Sequence, residues 1–459
     1  MIKVELLAHS NVHPLDLASH AALVCYQDTM PKLGKRMNDI EGKLFQKSHH
    51  TPFQHHFLTF PIDGIAVGDI TFGMHLANPF YNSDQRSGRF CAKMFLNPDY
   101  GEIENYIRKF WPDISNSALA LTMDYVKIGV DIYHSNIAAA TEIAGNFVAE
   151  ERPFASDKIK ANIPKYAQEQ TRMFIPVIFP TAFDFTINDT ALVAMYESAW
   201  TPVMRYVTGE MARLFVEKYP ETAFMFDENR RRKSNWAITV KNARMFGVRY
   251  KPVFDLISLG VDVFKQETFC LPDKSIMHPV DRLHFTPEMM ENSVNGIKAK
   301  IEVSTATNGQ DHRHRTMHRG IPKFTRNFYI PPILKELKLE EKAIEVMNRW
   351  FEVSKVVPDT LAMILAPYGA MVSYEKSGSF NAVAHEQFKR LCRSAQEEIS
   401  ELGRLQRLAI EERLGEDSPL LSMFEPPCYE KGICSEGDGY CGRDIGIRKT
   451  GDYFLKRKI

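Results

Sequence analysis

The pattern of hydrophobic and polar residues predicts both strands and helices in the first part of the chain. Residues 1–7 alternate with the period of a β-strand, and residues 57–62 form an apolar run of strand length. Helical spacing of apolar residues predicts a helix over 16–25 and long helices over 116–149 and 188–215.

The second half of the chain repeats this order. A strand pattern over 297–303 is followed by a segment rich in His and Arg, and then by helices predicted over 337–353 and 381–414. Between the halves, the basic and polar run at 229–235 is typical of a solvated linker. A Pro-Pro pair at 426–427 ends the last helical region, and a tail rich in Cys and Gly follows it.

The composition is that of a globular protein with a sizeable core. The 459 residues are 44% hydrophobic and 25% charged, which excludes wholesale disorder and suits two or three domains. The 57 basic residues balance the 57 acidic ones, so we expect neither nucleic acid nor membrane as a partner. No apolar run has transmembrane length, the N-terminus lacks a signal-peptide pattern, and the seven cysteines are an odd number. These features predict a soluble, cytoplasmic protein.

Three short segments concentrate polar side chains that can bind anions or cofactors. Residues 49–56 contain four histidines, and residues 84–90 place a glycine between a serine and an arginine, where backbone N–H groups and guanidiniums can meet a phosphate. In the segment 310–316, an extended backbone would put Arg313 and Arg315 on one face. Taken singly, a run of Arg and His is more typical of an exposed loop than of a site.

Together, the three segments resemble the motifs of flavin-dependent thymidylate synthases. The family signature His-x-Thr-Pro-Phe-Glu-His stands at 49–55, with Gln54 in place of the glutamate, and an apolar strand follows it. The other matches in this first copy are Ser87-Gly88-Arg89, Glu169, Arg172, Pro176 and Asn188.

Motifs that this first copy has lost are present in a second copy further along the chain. The family's Arg-His-Arg is Met-His-Leu at 74–76, but it stands intact at 313–315, with Gln310 three residues before it. The late-helix arginine of the family is Ala199 in the first copy and Arg390 in the second. The second copy in turn lacks Ser-Gly-Arg and Glu-x-x-Arg, so the two copies keep complementary parts of one site.

The spacing of these motifs indicates a tandem duplication. The offset between the copies is 191 residues at Pro176 and Pro367 and again at the late helix, but it is 239 residues at the Arg-His-Arg position. We therefore expect an extra 48 residues (239 − 191) in the first copy, within 95–160. The resemblance implies an α+β fold with a mixed sheet and long helices, in two thymidylate-synthase-like copies over 1–233 and 234–427, followed by a tail over 428–459.

The resemblance also implies a flavoenzyme that reductively methylates dUMP to dTMP at a composite site formed by both copies. The cofactor would be FAD, the co-substrates would be NADPH and methylenetetrahydrofolate, and a homodimer would mimic the family's tetramer. Arg390, which would polarise the uracil ring, and Arg89 are the implied catalytic residues. The implied substrate-binding residues are Gln85, Arg86, Ser87, Gly88, Arg89, Arg172, Gln310, Arg313 and Arg390. The implied flavin-binding residues are His49, Thr51, Gln54, Asn188, His314 and Arg315.

Two other functions fit the same motifs. One is a divergent enzyme that modifies another pyrimidine nucleotide, and the other is a flavin- or nucleotide-binding protein without turnover. Departures such as Gln54 and the changed stretch after Arg315 keep both alternatives open.

The tail carries Cys428, Cys434 and Cys441 among several glycines. Three thiolates in a Gly-rich loop can hold zinc or an iron–sulfur cluster, although the sequence offers no obvious fourth ligand. Free thiols in a small loop fold are the alternative interpretation.

Overall fold

The computed structural model describes most of the chain as a mixed α+β fold. The described residues are 1–76, 81–89, 91, 93–233, 235–240, 244–260, 296–313, 315–426, 428–429, 432–434, 436–442 and 457–459. The chain divides into two compact units, which are described separately below. Unit 1 consists of 1–123, 177–239 and 356–366, and unit 2 consists of 124–176, 240–355 and 367–459.

Eleven strands and fifteen α-helices are assigned within the described residues. The strands are β1 Lys3–Val4, β2 Ala8–His9, β3 Phe57–Ala66, β4 Tyr81–Gln85, β5 Pro180–Asn188, β6 Gly247–Arg249, β7 Val253–Leu259, β8 Gly296–Ser304, β9 His318–Arg319, β10 Lys323–Tyr329 and β11 Ala370–Ser379. The helices are α1 Pro14–Val24, α2 Val67–Asp69, α3 Lys93–Leu96, α4 Tyr100–Phe110, α5 Asn116–Glu151, α6 Asp157–Ala161, α7 Ile163–Thr171, α8 Asp189–Ser198, α9 Pro202–Lys218, α10 Thr305–Asp311, α11 Pro332–Glu336, α12 Glu340–Val356, α13 Asp359–Ile364, α14 Phe380–Arg390 and α15 Glu397–Leu414.

The sheet of unit 1 has β3 and β5 at its centre. Its order is β1-β3-β5-β4, β2 also pairs with β3, and every pairing is antiparallel. Alternate side chains of β3, such as Leu58, Phe60 and Ile62, are fully buried, and Phe185 and Ile187 of β5 meet them in the core. The period of two explains why this segment forms a strand with one covered face.

The sheet of unit 2 is larger and includes one parallel pair. Its order is β6-β10-β11-β8-β7, and β9 also pairs with β11. Only the β6–β10 pairing is parallel among the strands described. A core of Leu259, Ile297, Phe380, Val383 and Ile410 lies between this sheet and helices α14 and α15.

The two sheets share a topology at the predicted offsets. Strands β1-β3-β5-β4 of unit 1 and β7-β8-β11-β10 of unit 2 follow the same antiparallel order. Strands β3 and β8 begin 239 residues apart (296 − 57), and the N-caps of α8 and α14, Asn188 and Ser379, are 191 apart (379 − 188). Each cap accepts a hydrogen bond from the backbone N–H three residues later, which satisfies an unpaired helix donor. The duplication itself stays a prediction.

Several predicted elements are confirmed. The strand predicted over 57–62 lies within β3, and the strand over 297–303 lies within β8. The helix over 116–149 lies within α5, whose 36 residues make it the longest helix described. Even so, no described helix could span a membrane.

Other predicted elements are wrong in extent. The helix over 188–215 is two helices, because Thr201 caps a new helix that begins at Pro202, where the missing N–H costs nothing. The helix over 381–414 is likewise divided into α14 and α15. The strand over 1–7 is reduced to the two residues of β1.

Most described residues of the basic run at 229–235 are exposed, as predicted for a solvated segment, but Arg231 packs into unit 1. Unit 1 continues to residue 239, and the Arg231 side chain is only 13% exposed. Arg231 Nε donates to the carbonyl oxygen of Tyr196 at 3.0 Å, and its Nη2 donates to that of Arg205 at 2.8 Å. Arg231 therefore joins the end of unit 1 to helices α8 and α9.

The compact units cut across the predicted copies. Residues 124–176, which belong to the predicted first copy, lie in unit 2, and residues 356–366 of the predicted second copy lie in unit 1. The predicted boundaries describe a repeat in the sequence, and they stay a prediction.

Candidate functional site

Gln310 and Arg390 lie side by side in unit 2. The Ser304 hydroxyl caps α10 by accepting a hydrogen bond from the Thr307 N–H at 3.1 Å, and Gln310 therefore falls in the last turn of this helix. Arg390 ends α14, and its Nη2 donates to the carbonyl oxygen of Gln310 at 2.6 Å. The Gln310 side-chain amide in turn donates to the Gln396 side chain. Two predicted site residues are thus in direct contact, although 80 positions separate them.

A buried carboxyl group anchors the start of α10. Glu398 Oε1 accepts from the Ser304 N–H at 2.7 Å, and its Oε2 accepts from the Thr307 hydroxyl at 2.6 Å. Burial raises the pKa of Glu398 to about 7, and the hydrogen bonds from Ser304 and Thr307 limit that rise. The start of the helix that carries Gln310 is therefore fixed to α15.

A buried network of charges anchors the other end of α10. Asp311 is fully buried and accepts hydrogen bonds from Arg319 at 2.6 Å, Lys376 at 2.8 Å and the Tyr374 hydroxyl at 2.8 Å. Lys376 also contacts Glu386. Burial alone would raise the pKa of Asp311, but the charges of Arg319 and Lys376 hold it well below its usual range. The residue next to Gln310 is therefore tied to β9 and β11.

Arg313 and Arg315, the described residues of the Arg-His-Arg segment, lie in turns after α10 rather than in an extended strand. Both side chains are half-buried. Because neither residue lies in a strand, the prediction that they share one face of a strand is wrong. Burial, followed by the charge of Arg319, lowers the pKa of His312 to about 4, so this imidazole is neutral at pH 7. His314, which was predicted to bind flavin, lies outside the described residues.

Glu169 and Arg172 also lie in unit 2. They stand one turn apart, on α7 and in the 3₁₀ turn Arg172–Phe174 that follows it, and both are about 95% buried. The Arg172 guanidinium lies over the Tyr368 ring, 4.7 Å from its centroid, in a cation–π contact. The backbone N–H of Tyr368 donates to the carbonyl oxygen of Ile175 at 2.9 Å, which holds this stacking partner in place.

The predicted copies therefore both contribute to one compact unit. Arg172, from the predicted first copy, shares unit 2 with Gln310, Arg313 and Arg390 from the predicted second copy. The guanidinium groups of these three arginines are forked donors of the kind that bind phosphate and carbonyl oxygens.

The remaining substrate residues of the prediction lie in unit 1. Gln85 ends β4, and the Arg86 N–H extends the pairing by donating to the carbonyl oxygen of Ala182 at 2.8 Å. The Arg86 side chain is 46% exposed and lies 3.6 Å from Asp63, so it points to an outer face of the sheet. Ser87, Gly88 and Arg89 form a half-buried turn in which the Arg89 N–H approaches the Ser87 hydroxyl at 3.3 Å.

Four of the predicted flavin residues lie close together in unit 1. Thr51 and Gln54 begin and end a 3₁₀ turn, and His49 lies two residues before this turn. Asn188 caps the neighbouring helix α8. Two contacts join these segments: the Thr190 hydroxyl donates to the carbonyl oxygen of His50 at 3.0 Å, and β3 pairs with β5 from Phe57 onward.

The donor set of these four residues fits part of a flavin. His49 and Thr51 are exposed, and imidazole, hydroxyl and carboxamide groups can bond the polar edge of the ring or the ribityl chain. None of the four is a permanent cation, so they do not by themselves match a pyrophosphate. Arg315, the cation of the predicted set that the structure describes, lies in unit 2.

The cysteines of the tail are free and partly buried. Cys428, Cys434 and Cys441 form no disulfide, and the Glu436 N–H approaches the Cys434 sulfur at 3.4 Å. Burial, followed by the charges of Cys392, Cys441 and Cys434, raises the pKa of Cys428 to about 11. Sequence reasoning missed Cys392 as a neighbour because 35 residues separate it from the tail. Among the residues that the structure describes, no group of three His, Cys, Asp or Glu side chains has the arrangement to hold a metal ion.

Comparisons with known proteins give structural matches only. No family model and no curated protein matches the sequence. Half of the chain is structurally similar to thymidylate synthase X from Helicobacter pylori, in a crystal structure with FAD and dUMP. The match has 18% identity and a TM-score of 0.31, and it covers 50% of this chain and 99% of the other. A second structure, described as the flavin-dependent thymidylate synthase from the same organism complexed with FAD and dUMP, matches with 15% identity and a TM-score of 0.32. It covers 50% of this chain and all of the other.

Proposed function

We propose that this protein binds a pyrimidine nucleoside monophosphate and FAD and catalyses the reductive methylation of dUMP to dTMP. The observation that carries the proposal is the meeting of Gln310 and Arg390 in unit 2, which also contains the buried Arg172. A nucleotide offers phosphate and carbonyl oxygens, which are the acceptors that guanidinium groups bind.

The roles follow from chemistry and from the motif resemblance. Arg390 would stabilise the charge that develops on a uracil carbonyl oxygen, because a positioned donor in a buried site acts strongly there. Arg89, Arg172 and Arg313 would bind the phosphate or the base, and Gln310 would orient Arg390 through its carbonyl group. When bound, FAD would supply the redox chemistry, with NADPH and methylenetetrahydrofolate as co-substrates.

A tandem duplication and a homodimer complete the proposal. The shared sheet order and the two helix caps at the 191-residue offset support two copies of one fold. A dimer of two-copy chains would reproduce a four-copy assembly, and light scattering would then give twice the chain mass of 52.6 kDa. A monomer that turns over dUMP would contradict this part of the proposal.

Nucleotide binding can be tested without turnover. We expect Arg390→Ala and Arg172→Ala each to weaken dUMP binding by roughly 10- to 150-fold, since a hydrogen bond to a charged group contributes about 1.5–3 kcal/mol. Isothermal titration calorimetry measures this. Arg349→Gln is the matched control, because its side chain is half exposed and pairs only weakly with Glu352. Parent-like binding by Arg390→Ala would refute the site.

Arg89→Ala tests the contribution of Ser-Gly-Arg in the same assay. A similar loss of affinity would support a composite site, and unchanged affinity would remove this motif from it.

Turnover separates the proposed reaction from its alternatives. Release of tritium from C5-labelled dUMP with FAD, NADPH and methylenetetrahydrofolate supports dTMP synthesis. A yellow protein that releases FAD on denaturation but no tritium supports a modifier of another pyrimidine nucleotide or a binding protein without turnover.

The zinc or iron–sulfur site of the tail also stays a prediction. Elemental analysis of the purified protein tests it, with Cys434→Ser as the comparison. Protein that is active and free of both metals would contradict it.

A further inference from the structure

Three arginines from distant parts of the sequence meet in unit 2, outside the residues discussed so far. Arg152 follows α5, Arg393 follows α14, and Arg457 lies near the end of the chain; their exposed fractions are 2%, 8% and 6%. Arg152 Nη2 donates to the backbone carbonyl oxygen of Arg393 at 3.3 Å, and Arg457 Nη2 donates to that of Ala395. We call these three residues the arginine cluster.

The donors of the arginine cluster are incompletely used. Arg393 Nη1 forms an ion pair with Glu151 at 3.2 Å. Arg152 Nη1 donates to the neutral Tyr166 hydroxyl at 3.1 Å. Arg152 Nε and two nitrogens of Arg457, Nε and Nη1, are buried without a hydrogen-bond partner in the described part of the chain. Burying such donors costs free energy comparable to lost hydrogen bonds.

In the described part of the chain, two carboxyl groups act on Arg457, and burial disfavours the charge on one of them. Glu169 and Glu397 act on Arg457, but burial raises the pKa of Glu397 well above its usual range, and its carboxyl accepts from the Tyr329 hydroxyl. Burial therefore disfavours the charged form of the Glu397 carboxyl. Burial, followed by the charges of the two other arginines, lowers the pKa of Arg457 to about 9, which still leaves it protonated at pH 7.

We propose that Arg152, Arg393 and Arg457 form an anion-binding site for a phosphoryl group, separate from the contact between Gln310 and Arg390. A tetrahedral dianion presents three oxygens, and three nitrogens without a partner in the described part of the chain, Arg457 Nε and Nη1 and Arg152 Nε, can donate to them. The site lies near the Glu-x-x-Arg motif, because the charge of Glu169 interacts with Arg457 and Glu169 stands one turn before Arg172. The inference does not require the proposed reaction, since phosphate binding is measured without turnover.

Thermal unfolding with inorganic phosphate, compared with sodium chloride at equal ionic strength and pH 8, tests the site. A ligand that binds only the folded state raises the unfolding temperature with its concentration. We expect the parent and Arg349→Gln to show this rise, and Arg457→Met to lose it. Without phosphate, Arg457→Met should unfold at the parent temperature or above it, because an apolar chain replaces a buried charge.

Further measurements keep the test decisive if Arg457→Met does not fold. Arg152→Met should lose the phosphate effect as well, and direct calorimetry on the parent should detect phosphate binding. Arg390→Ala should keep the phosphate effect, and its loss there would refute a separate site. Absence of any phosphate effect in the parent would refute the proposal outright.

The pH dependence offers an independent arm. Phosphate is a dianion at both pH 8 and pH 10, whereas Arg457 loses its proton between them in the free protein. Arg152, Arg393, Glu169 and Glu397 are the charged groups that act on it. Phosphate affinity should therefore fall by roughly tenfold from pH 8 to pH 10. Equal affinity at both values would contradict the assignment of Arg457.

Discussion

Two glycines within the same long helix have opposite surroundings, and this gives a sharp test of how the Arg172 turn is held. In α5, a methyl group added at Gly129 would lie 2.4 Å from the carbonyl oxygen of Phe174 and 3.2 Å from Pro176 Cδ. At Gly145, a methyl group would meet nothing within 4 Å. Phe174 lies two residues after Arg172, so the close approach at Gly129 packs the helix directly against the turn that carries this arginine.

The two alanine variants should change stability in opposite directions. Replacing a glycine inside a helix by alanine stabilises it by about 0.5–1 kcal/mol, because the unfolded chain loses freedom. Gly145→Ala should gain this amount. Gly129→Ala has the same gain, but it must push a backbone carbonyl away, and overpacking of this kind costs about 1–3 kcal/mol. We therefore expect a net loss of roughly 1–2 kcal/mol for Gly129→Ala.

Urea unfolding followed by circular dichroism measures both variants against the parent. Gly129 and Gly145 both lie in the part of α5 that belongs to unit 2, so the two variants report on the same transition even if the two units unfold separately. In addition, Gly129→Ala should weaken dUMP binding by displacing Arg172, whereas Gly145→Ala should leave it unchanged. Equal stability and equal dUMP affinity in the two variants would refute the claim that α5 positions the Arg172 turn.

Three further predictions concern buried polar groups. Asp311→Asn should lower the unfolding free energy by about 3–5 kcal/mol, because it leaves buried cations without their carboxylate; exposed Glu352→Gln should lower it by less than about 1 kcal/mol in the same urea titration. Because the pKa of Glu398 is raised, the folded protein binds its proton more tightly than the unfolded chain does. The stabilisation of the fold by the protonated Glu398 is therefore complete below about pH 4 and is lost as the pH rises to about 7. Between pH 4 and pH 8, the unfolding free energy of the parent should therefore fall by up to about 3 kcal/mol more than that of Glu398→Gln. Identical pH profiles for the two proteins would contradict this. Trp111→Phe removes the 2.8 Å hydrogen bond to the buried Thr360 hydroxyl and should cost about 1–2 kcal/mol; an unchanged thermal midpoint would argue against that bond.

The sequence predicts correctly those elements in which the periodicity of apolar side chains alone identifies a strand or a helix. Strand β3 and helix α5 follow from the periodicity of their apolar side chains. Apolar spacing continues across the breaks near Pro202 and at 391–396, so it does not reveal them. The side-chain cap of Thr201 marks the first new helix start, whereas Gln396 precedes α15 without a side-chain capping hydrogen bond.

The candidate site was predictable only where a motif or a repeat offset marked it. The offset of 191 residues pointed to Arg390, and the structure places it on Gln310. The arginine cluster and Cys392 carried no sequence signal, because each depends on contacts between segments far apart in the chain. Lys376 was equally hidden, since a lone lysine in a strand pattern is ordinarily a surface residue.

The buried charges around Asp311 also protect the sheet of unit 2 against mispairing. Tyr374 and Lys376 lie two residues apart on β11, so both project from the same face and both reach Asp311. A slip of β11 by a single residue against β8 would turn both groups to the opposite face and remove two of the three hydrogen bonds described for the buried Asp311 carboxylate. Shifted pairings that an apolar sheet would tolerate are thus disfavoured, and the helix that carries Gln310 ends at one defined position.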